Sequence, residues 1–208
     1  MSRGGCVELS MRVSREKFAQ SRNRILEAAA TLFREKGFDG VGLADIMEAA
    51  GLTHGGFYGH FSSKEDLEAQ ALSLAMAQSL TNWSQTVDSA AGRPLSALAG
   101  QYLSPYYRDN RGEGCPIAAL GCDAAREGER VRSALTAGLE PTLALISNVV
   151  PGRSKAQRRR KAIAALAEMV GAMILARAVN DPALSNEILA ATLLNVSEAS
   201  DSSHEAKN

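Results

Sequence analysis

Residues 54–61, HGGFYGHF, limit what this chain can fold into more than any other stretch. Three glycines in eight residues make a poor helix in isolation, since each costs about 1 kcal/mol of helix propensity relative to alanine. Its aromatic residues must therefore anchor it to neighbours. The residues before it have a similar need: 43–50 make barely two turns, with Ile46, Met47 and Ala50 inward, and Gly51 stops them. Thr53 is a good N-cap for the glycine-rich segment, and Ser62 or Ser63 caps a longer helix from Lys64, with Ser63-x-x-Asp66 a variant capping box. Upstream, Phe18, Arg22, Ile25, Ala29, Leu32 and Phe33 recur at helical spacing as far as Lys36-Gly37. Helix, short helix, the tight turn Ala50-Gly51-Leu52-Thr53 and a second short helix is the order of a helix-turn-helix, whose second short helix enters the DNA major groove.

The rest of the chain also reads as helix. Aromatics are only 5% of the 208 residues and Pro only 6, against abundant Ala, and no alternating strand pattern appears. Helices are expected over 95–107, 116–126, 129–149 (with Pro141 a kink or break), 155–180 and 183–198, with loops at 112–115 and 150–154. Residues 1–17 lack an apolar period and read as a flexible basic arm, and the tail from 200 to 208 reads as disordered. Residues 162–179 are almost wholly apolar, but Glu168 and Arg177 argue for a helix buried in protein over a bilayer span, so no membrane association is expected. Three cysteines and no apolar leader after Met1 exclude a disulfide-stapled secreted module and point to the cytoplasm.

Charge is balanced overall, Lys+Arg 23 against Asp+Glu 23, so any basic surface has to be local. Residues 1–24 hold six cations (Arg3, Arg12, Arg15, Lys17, Arg22, Arg24) against Glu8 and Glu16, a modest phosphate-seeking arm. The motif Arg24-Ile25-Leu26-x-Ala28-Ala29-x-x-Leu32-Phe33-x-x-x-Gly37-Phe38, then Asp45-Ile46-x-x-x-Ala50-Gly51, then Gly56-Phe57-Tyr58-x-His60-Phe61-x-x-Lys64-x-x-Leu67 resembles the TetR-type transcriptional regulators of bacteria. That resemblance implies an all-α fold: a helix-turn-helix DNA-binding domain over 18–66, then an effector-binding and dimerisation bundle over 67–199. It further implies a ligand-responsive regulator, a homodimer most simply released as a repressor from a palindromic double-stranded operator by a small, largely apolar effector, with no cofactor and no enzymatic activity. Carried over by position, Phe57 and Phe61 anchor the recognition helix, and Tyr58, His60 and Lys64, with Arg22 and Arg24, face phosphates. Base reading falls to Thr53, His54 and Gly55. The chain departs from the family at Val41-Gly42, where a Thr or Ser usually opens helix two, so a hydroxyl phosphate contact is missing and Gly42 is a weaker cap.

Blander readings stand beside these. Tyr58 and His60 could be polar edges of a small core, and Lys64 a solvated cap. His54 and His60 lie on different helix faces with no ligand cluster, so no metal site is expected. The basic run 153–161 reads as a solvated charge run. Trp83, Tyr102, Tyr106 and Tyr107 are either core filling or, with Cys115, Leu120 and Leu139, part of an effector pocket. Cys115 is the N-cap before Pro116, where the helix dipole would favour a thiolate; it is either a small buried cysteine or an electrophile or redox sensor, with Cys122 about 10 Å away on one helix. A cysteine-dependent enzyme is disfavoured, because the histidines lie in the helix-turn-helix segment. The last two helices carry too much apolar surface for one monomer, which predicts a dimer interface through Ile163, Leu166, Val170, Met173, Ile188 and Leu193.

Overall fold

A computed structural model describes the backbone of residues 4–201 and the side chains of residues 15–198. Among the described residues there are ten α-helices and no strand. They are α1 (Gly4–Lys36), α2 (Leu43–Ala49), α3 (Phe57–His60, preceded by a 3-10 turn at His54–Gly56), α4 (Lys64–Ser89), α5 (Pro94–Tyr102), α6 (Pro105–Asp109), α7 (Pro116–Ala124), α8 (Glu129–Val149), α9 (Lys155–Ala178) and α10 (Pro182–Asp201). A second 3-10 turn, Arg111–Glu113, links α6 to α7.

Helix α1 starts at Gly4, so the arm expected to be flexible is helical from that residue on. Residues 7–17 contain neither Gly nor Pro, and a helix nucleated by the packed half of α1 extends through such a stretch at little cost. Of the expected tail, residues 202–208 lie outside the described residues. Pro141 does not break α8; it lies on an exposed face, where water can satisfy the carbonyl of Ala137 that its missing N–H leaves free. The helix expected over 95–107 is in fact two. Pro105 cannot continue α5, and Ser104 restarts the chain by accepting a hydrogen bond from the Tyr107 N–H at 3.2 Å.

Two hydrophobic cores follow one another along the molecule. The first joins Ile25, Ala29 and Phe33 of α1, Ile46 and Met47 of α2, Phe57, Phe61, and Leu67, Ala71 and Leu72 of α4, and is closed from the far side by Leu120, Ala124 and Val131. The second joins Trp83 of α4, Leu98 and Tyr102 of α5, Cys115, Ile146 of α8, Met169 and Met173 of α9, and Leu189 and Val196 of α10. Helix α4 runs through both.

The helix ends around the first core are satisfied locally. Ser63 Oγ accepts from the Asp66 N–H at 3.1 Å, and the Asp66 carboxylate accepts from the N–H and hydroxyl of Ser62 at 3.0 and 2.9 Å. At α2, Gly42 has no side chain to cap with, but the Asp45 carboxylate accepts the Gly42 N–H at 3.1 Å. The weak cap read from the sequence is thus reinforced from inside the helix. Gly51 turns the chain at φ +66°, a left-handed conformation that a Cβ opposes.

The interface expected on α9 and α10 needs a correction. Met173 is 0% exposed and Leu166 is buried, both in the monomer's own core, and Val170, Ile188 and Leu193 are half-buried against it. A spacing of 3.6 residues places them on the inward stripe. The apolar residues turned outward are Ile163, Ile174 and Leu175 of α9 and Leu184 and Leu194 of α10, so Ile163 alone of the expected set is exposed.

Two stability effects follow. Gly51→Ala should lower unfolding free energy by about 1–2 kcal/mol, the cost of a left-handed alanine, measured by chemical denaturation. The Ser62 N–H chiefly holds the Asp66 carboxyl below its ordinary value. Its contribution is present above the unfolded carboxyl pKa and is lost as pH falls through the lowered folded value. The stability gap between wild type and Asp66→Ala should therefore be constant near neutrality and close in acid; a gap that widens in acid would contradict the capping role.

Candidate functional site

The glycine-rich segment is held from beneath. Phe57 and Phe61 are buried, their rings stacked at 5.7 Å, and Leu52 N–H bonds to the Met47 carbonyl at 2.9 Å, which sets the angle between α2 and the turn. Anchoring leaves the opposite face open. Thr53, His54 and Gly55 are exposed, the Thr53 hydroxyl makes no cap bond, and nothing lies within 4 Å of where a Cβ on Gly55 or Gly59 would sit. Tyr58 is 71% exposed, packed edge-on against Phe57 with its hydroxyl end in solvent. This exposed face carries a hydroxyl, an imidazole, bare backbone and a phenol, groups able to hydrogen-bond to phosphates and base edges.

The cations expected at phosphates divide into two groups. Arg24 is exposed beside the Gly51 turn. Arg22 instead lies over the Phe61 ring at 4.9 Å and donates to Gln70 Oε1, bracing α1 against α4. Lys64 is also turned inward: Nζ donates to the Phe38 carbonyl at 2.7 Å and pairs with Glu68 Oε1 at 3.5 Å. Burial raises the Glu68 pKa, and the Lys64 charge opposes that rise. Lys64 is therefore a clamp on the α1–α2 loop, because a lysine opening α4 reaches an orphan carbonyl and a buried acid before it reaches solvent.

His60 holds a middle position. Its ring stacks on Phe18 of α1 at 4.2 Å, and Nδ1 is buried without a hydrogen-bond partner. Burial, then the nearby Arg22 charge, lowers its pKa below the ordinary imidazole value, which favours the neutral ring. The Phe18 contact is not legible in the sequence, because Phe18 shares the helical spacing of the buried residues of α1 and yet is 49% exposed.

The residues expected at an effector pocket also divide. Trp83, Tyr102 and Tyr107 form an aromatic cluster, with ring centroids 5.5 Å apart for the first pair and 5.1 Å for the second. Leu139 packs against the same core, and Cys115 is buried within it. The Tyr102 hydroxyl, beside the Cys115 thiol, is buried with no hydrogen-bond partner of regular geometry. Burial pushes the Tyr107 phenol up to about 12 and the Tyr102 phenol well above its ordinary value. Leu120 belongs to the first core instead, and Tyr106 is exposed, its hydroxyl donating to Glu113 Oε2 at 3.2 Å. Cys115 does stand at the N-cap position of α7, but burial raises its pKa, outweighing the Tyr102 hydroxyl and the backbone N–H groups of Ala118 and Ile117, which lower it. Cys122 is exposed. No group of three or more His, Cys, Asp or Glu could hold a metal among the described residues, and no helix among them is long and apolar enough to cross a membrane.

Residues 25–71 match the family described as bacterial regulatory proteins, tetR family. The HTH-type transcriptional repressor KstR2 of Mycolicibacterium smegmatis is 31% identical over 88 residues, 42% of each chain. The HTH-type transcriptional repressor NemR of Escherichia coli is 27% identical over 133 residues, 62% of this chain and 67% of that one. The crystal structure of E. coli NemR in its reduced form superposes with a TM-score of 0.70 at 23% identity, covering 86% of this chain and 95% of that one, which shows a shared fold. The matched stretches span 42% of KstR2 and 57% of the repressor DhaR of a Mycobacterium species, about half the length of each. The family match falls on the anchored turn and its open face, and it is this segment, residues 25–71, that is similar to the tetR family of bacterial regulatory proteins.

Proposed function

We propose that this protein is a DNA-binding transcriptional repressor: a two-fold homodimer that holds a palindromic duplex operator and releases it when a small, largely apolar effector binds. The observation that carries this reading is the open face at residues 53–58, fixed from below by Phe57 and Phe61. Thr53, His54 and the Gly55 backbone read base edges, while Tyr58 and Arg24 contact phosphates on either side. Arg22, His60 and Lys64 hold that face in position. Two copies face each other through the outward residues Ile163, Ile174, Leu175, Leu184 and Leu194, a four-helix arrangement that covers apolar surface otherwise left in water.

For the effector, the cluster of Trp83, Tyr102 and Tyr107 supplies apolar walls, and the Tyr102 hydroxyl, which has the Cys115 thiol beside it and no partner of regular geometry, supplies a hydrogen-bonding group. An effector acts by binding one arrangement of the two DNA-reading heads more tightly than the other. A sensor based on a Cys115 thiolate is not carried forward, since burial disfavours the ionised thiol.

Gel shifts at several salt concentrations separate these roles. Tyr58→Phe should weaken binding about three- to tenfold per half-site for every sequence, the worth of one phosphate hydrogen bond. His54→Ala should change base preference. Lys64→Ala should lower the melting temperature yet leave the salt slope of DNA binding unchanged; a shallower slope would return Lys64 to a phosphate. In sedimentation, Leu175→Glu or Leu194→Glu should yield folded monomers with weak operator affinity, whereas Met173→Glu should unfold the protein. A folded dimer from both surface variants would place the interface elsewhere.

A further inference from the structure

Arginines gather where the DNA-binding core meets the bundle. The C-terminal end of α1 brings Arg34 and Lys36, the 3-10 turn brings Arg111, and the end of α9 brings Arg177. Two clefts of about 340 Å³ each open here, and Arg111 and Arg177 line both.

The hydrogen bonding of these cations is unusual for their depth. Arg177 Nε and Nη2 donate to the carbonyls of Arg108 and Tyr107 at 3.1 and 2.9 Å, and Arg34 Nε donates to the Ala30 carbonyl at 2.9 Å. These acceptors are neutral. Among the described residues, no carboxylate lies within ion-pair distance of Arg34, Arg111 or Arg177. Nearby acids are otherwise engaged: Arg108 holds Asp109 at 2.7 Å, Tyr106 donates to Glu113, and Asp123 meets Arg126 and the Phe38 N–H, both at 3.4 Å. Only Glu35 has no such partner, so four cations line the second cleft against two carboxylates. Burial lowers the pKa of Arg34 and of Arg177, the response of a guanidinium that has lost water and gained no full counter-charge.

The backbone is shaped to admit a guanidinium. A Cβ on Gly114 would stand 2.8 Å from Arg177 Nη2 and 3.3 Å from the Arg111 and Asn110 carbonyls, so a side chain there would displace the guanidinium from its present place. Arg34, buried in α1, lines the second cleft from the opposite side. Guanidinium forks presented from two sides match the paired oxygens of a compact oxyanion.

We infer that the cleft between the end of α1, the Arg111–Glu113 turn and the end of α9 binds the carboxylate or phosphate group of a small molecule through Arg34, Arg111 and Arg177. Such a ligand touches a helix of the DNA-binding domain and a helix of the outward apolar face at once. It fixes the relation of the two domains independently of any effector beside Trp83.

The test is thermal unfolding of the full chain in sodium phosphate, in sodium succinate and in sodium chloride at matched ionic strength. At saturation phosphate or succinate should raise the melting temperature about 3 °C above chloride, and the anion that does so identifies the oxyanion. Arg111 is exposed and its side chain makes no bond the fold needs, so Arg111→Gln should melt like wild type in chloride and lose the excess. Tyr58→Phe, on the DNA-facing side, should keep it. No excess with either anion, an undiminished excess in Arg111→Gln, or loss of the excess in Tyr58→Phe would each overturn the assignment, the last by locating the anion on the DNA-facing surface. None of these outcomes depends on whether the protein binds an operator, so gel shifts judge the repressor reading separately.

Discussion

Helix α4 is buried in both cores of the molecule, and everything else is arranged around that. Leu67, Ala71 and Leu72 lie beneath the DNA-reading segment, and Trp83, four turns on, lies in the aromatic cluster of the bundle. A helix held at both ends by close packing moves as a rigid body, because displacing it opens voids in two cores at once. Its first turn is fixed by the Ser63 and Asp66 caps and by the reach of Lys64 to the α1–α2 loop. A perturbation beside Trp83 is therefore felt by the same element that seats Phe57 and Phe61.

That geometry explains why cations count here for their position more than for their number. With no net charge, the protein has no general attraction for a polyanion. Several of its arginines and lysines are used internally: Arg22 over Phe61, Lys64 on the Phe38 carbonyl, Arg177 on the Tyr107 and Arg108 carbonyls of α6. What faces outward from the reading segment is mostly neutral, a phenol, a hydroxyl and glycine backbone. In the proposed reading such groups would meet phosphate through directed hydrogen bonds, which demand a rigid support beneath them.

Much was legible without coordinates. The glycine-rich segment announced its need for anchors, Ser63-x-x-Asp66 announced the start of α4, and the 3.6-residue period marked the helices. Errors gathered where a feature depends on what lies opposite. Leu166 and Met173 are as apolar as Ile174 and Leu175, and only the packing of α9 on α8 and α10 decides which pair faces the core. Leu120 reads like a pocket residue until α7 is seen to lean on the first core.

The helices around the glycine-rich segment and the Ser63 cap of α4 were determined by the sequence alone, because each rests on interactions between residues a few positions apart. The ends of long polar side chains were decided only by the tertiary structure. Lys64 and Phe38 are 26 positions apart and Arg22 and Gln70 are 48, and no local pattern encodes such pairings. The same holds for Cys115: its place before Pro116 suggests a helix dipole acting on an ionised thiol, but its solvation depends on Tyr102 and the helices that close over it, and burial raises its pKa.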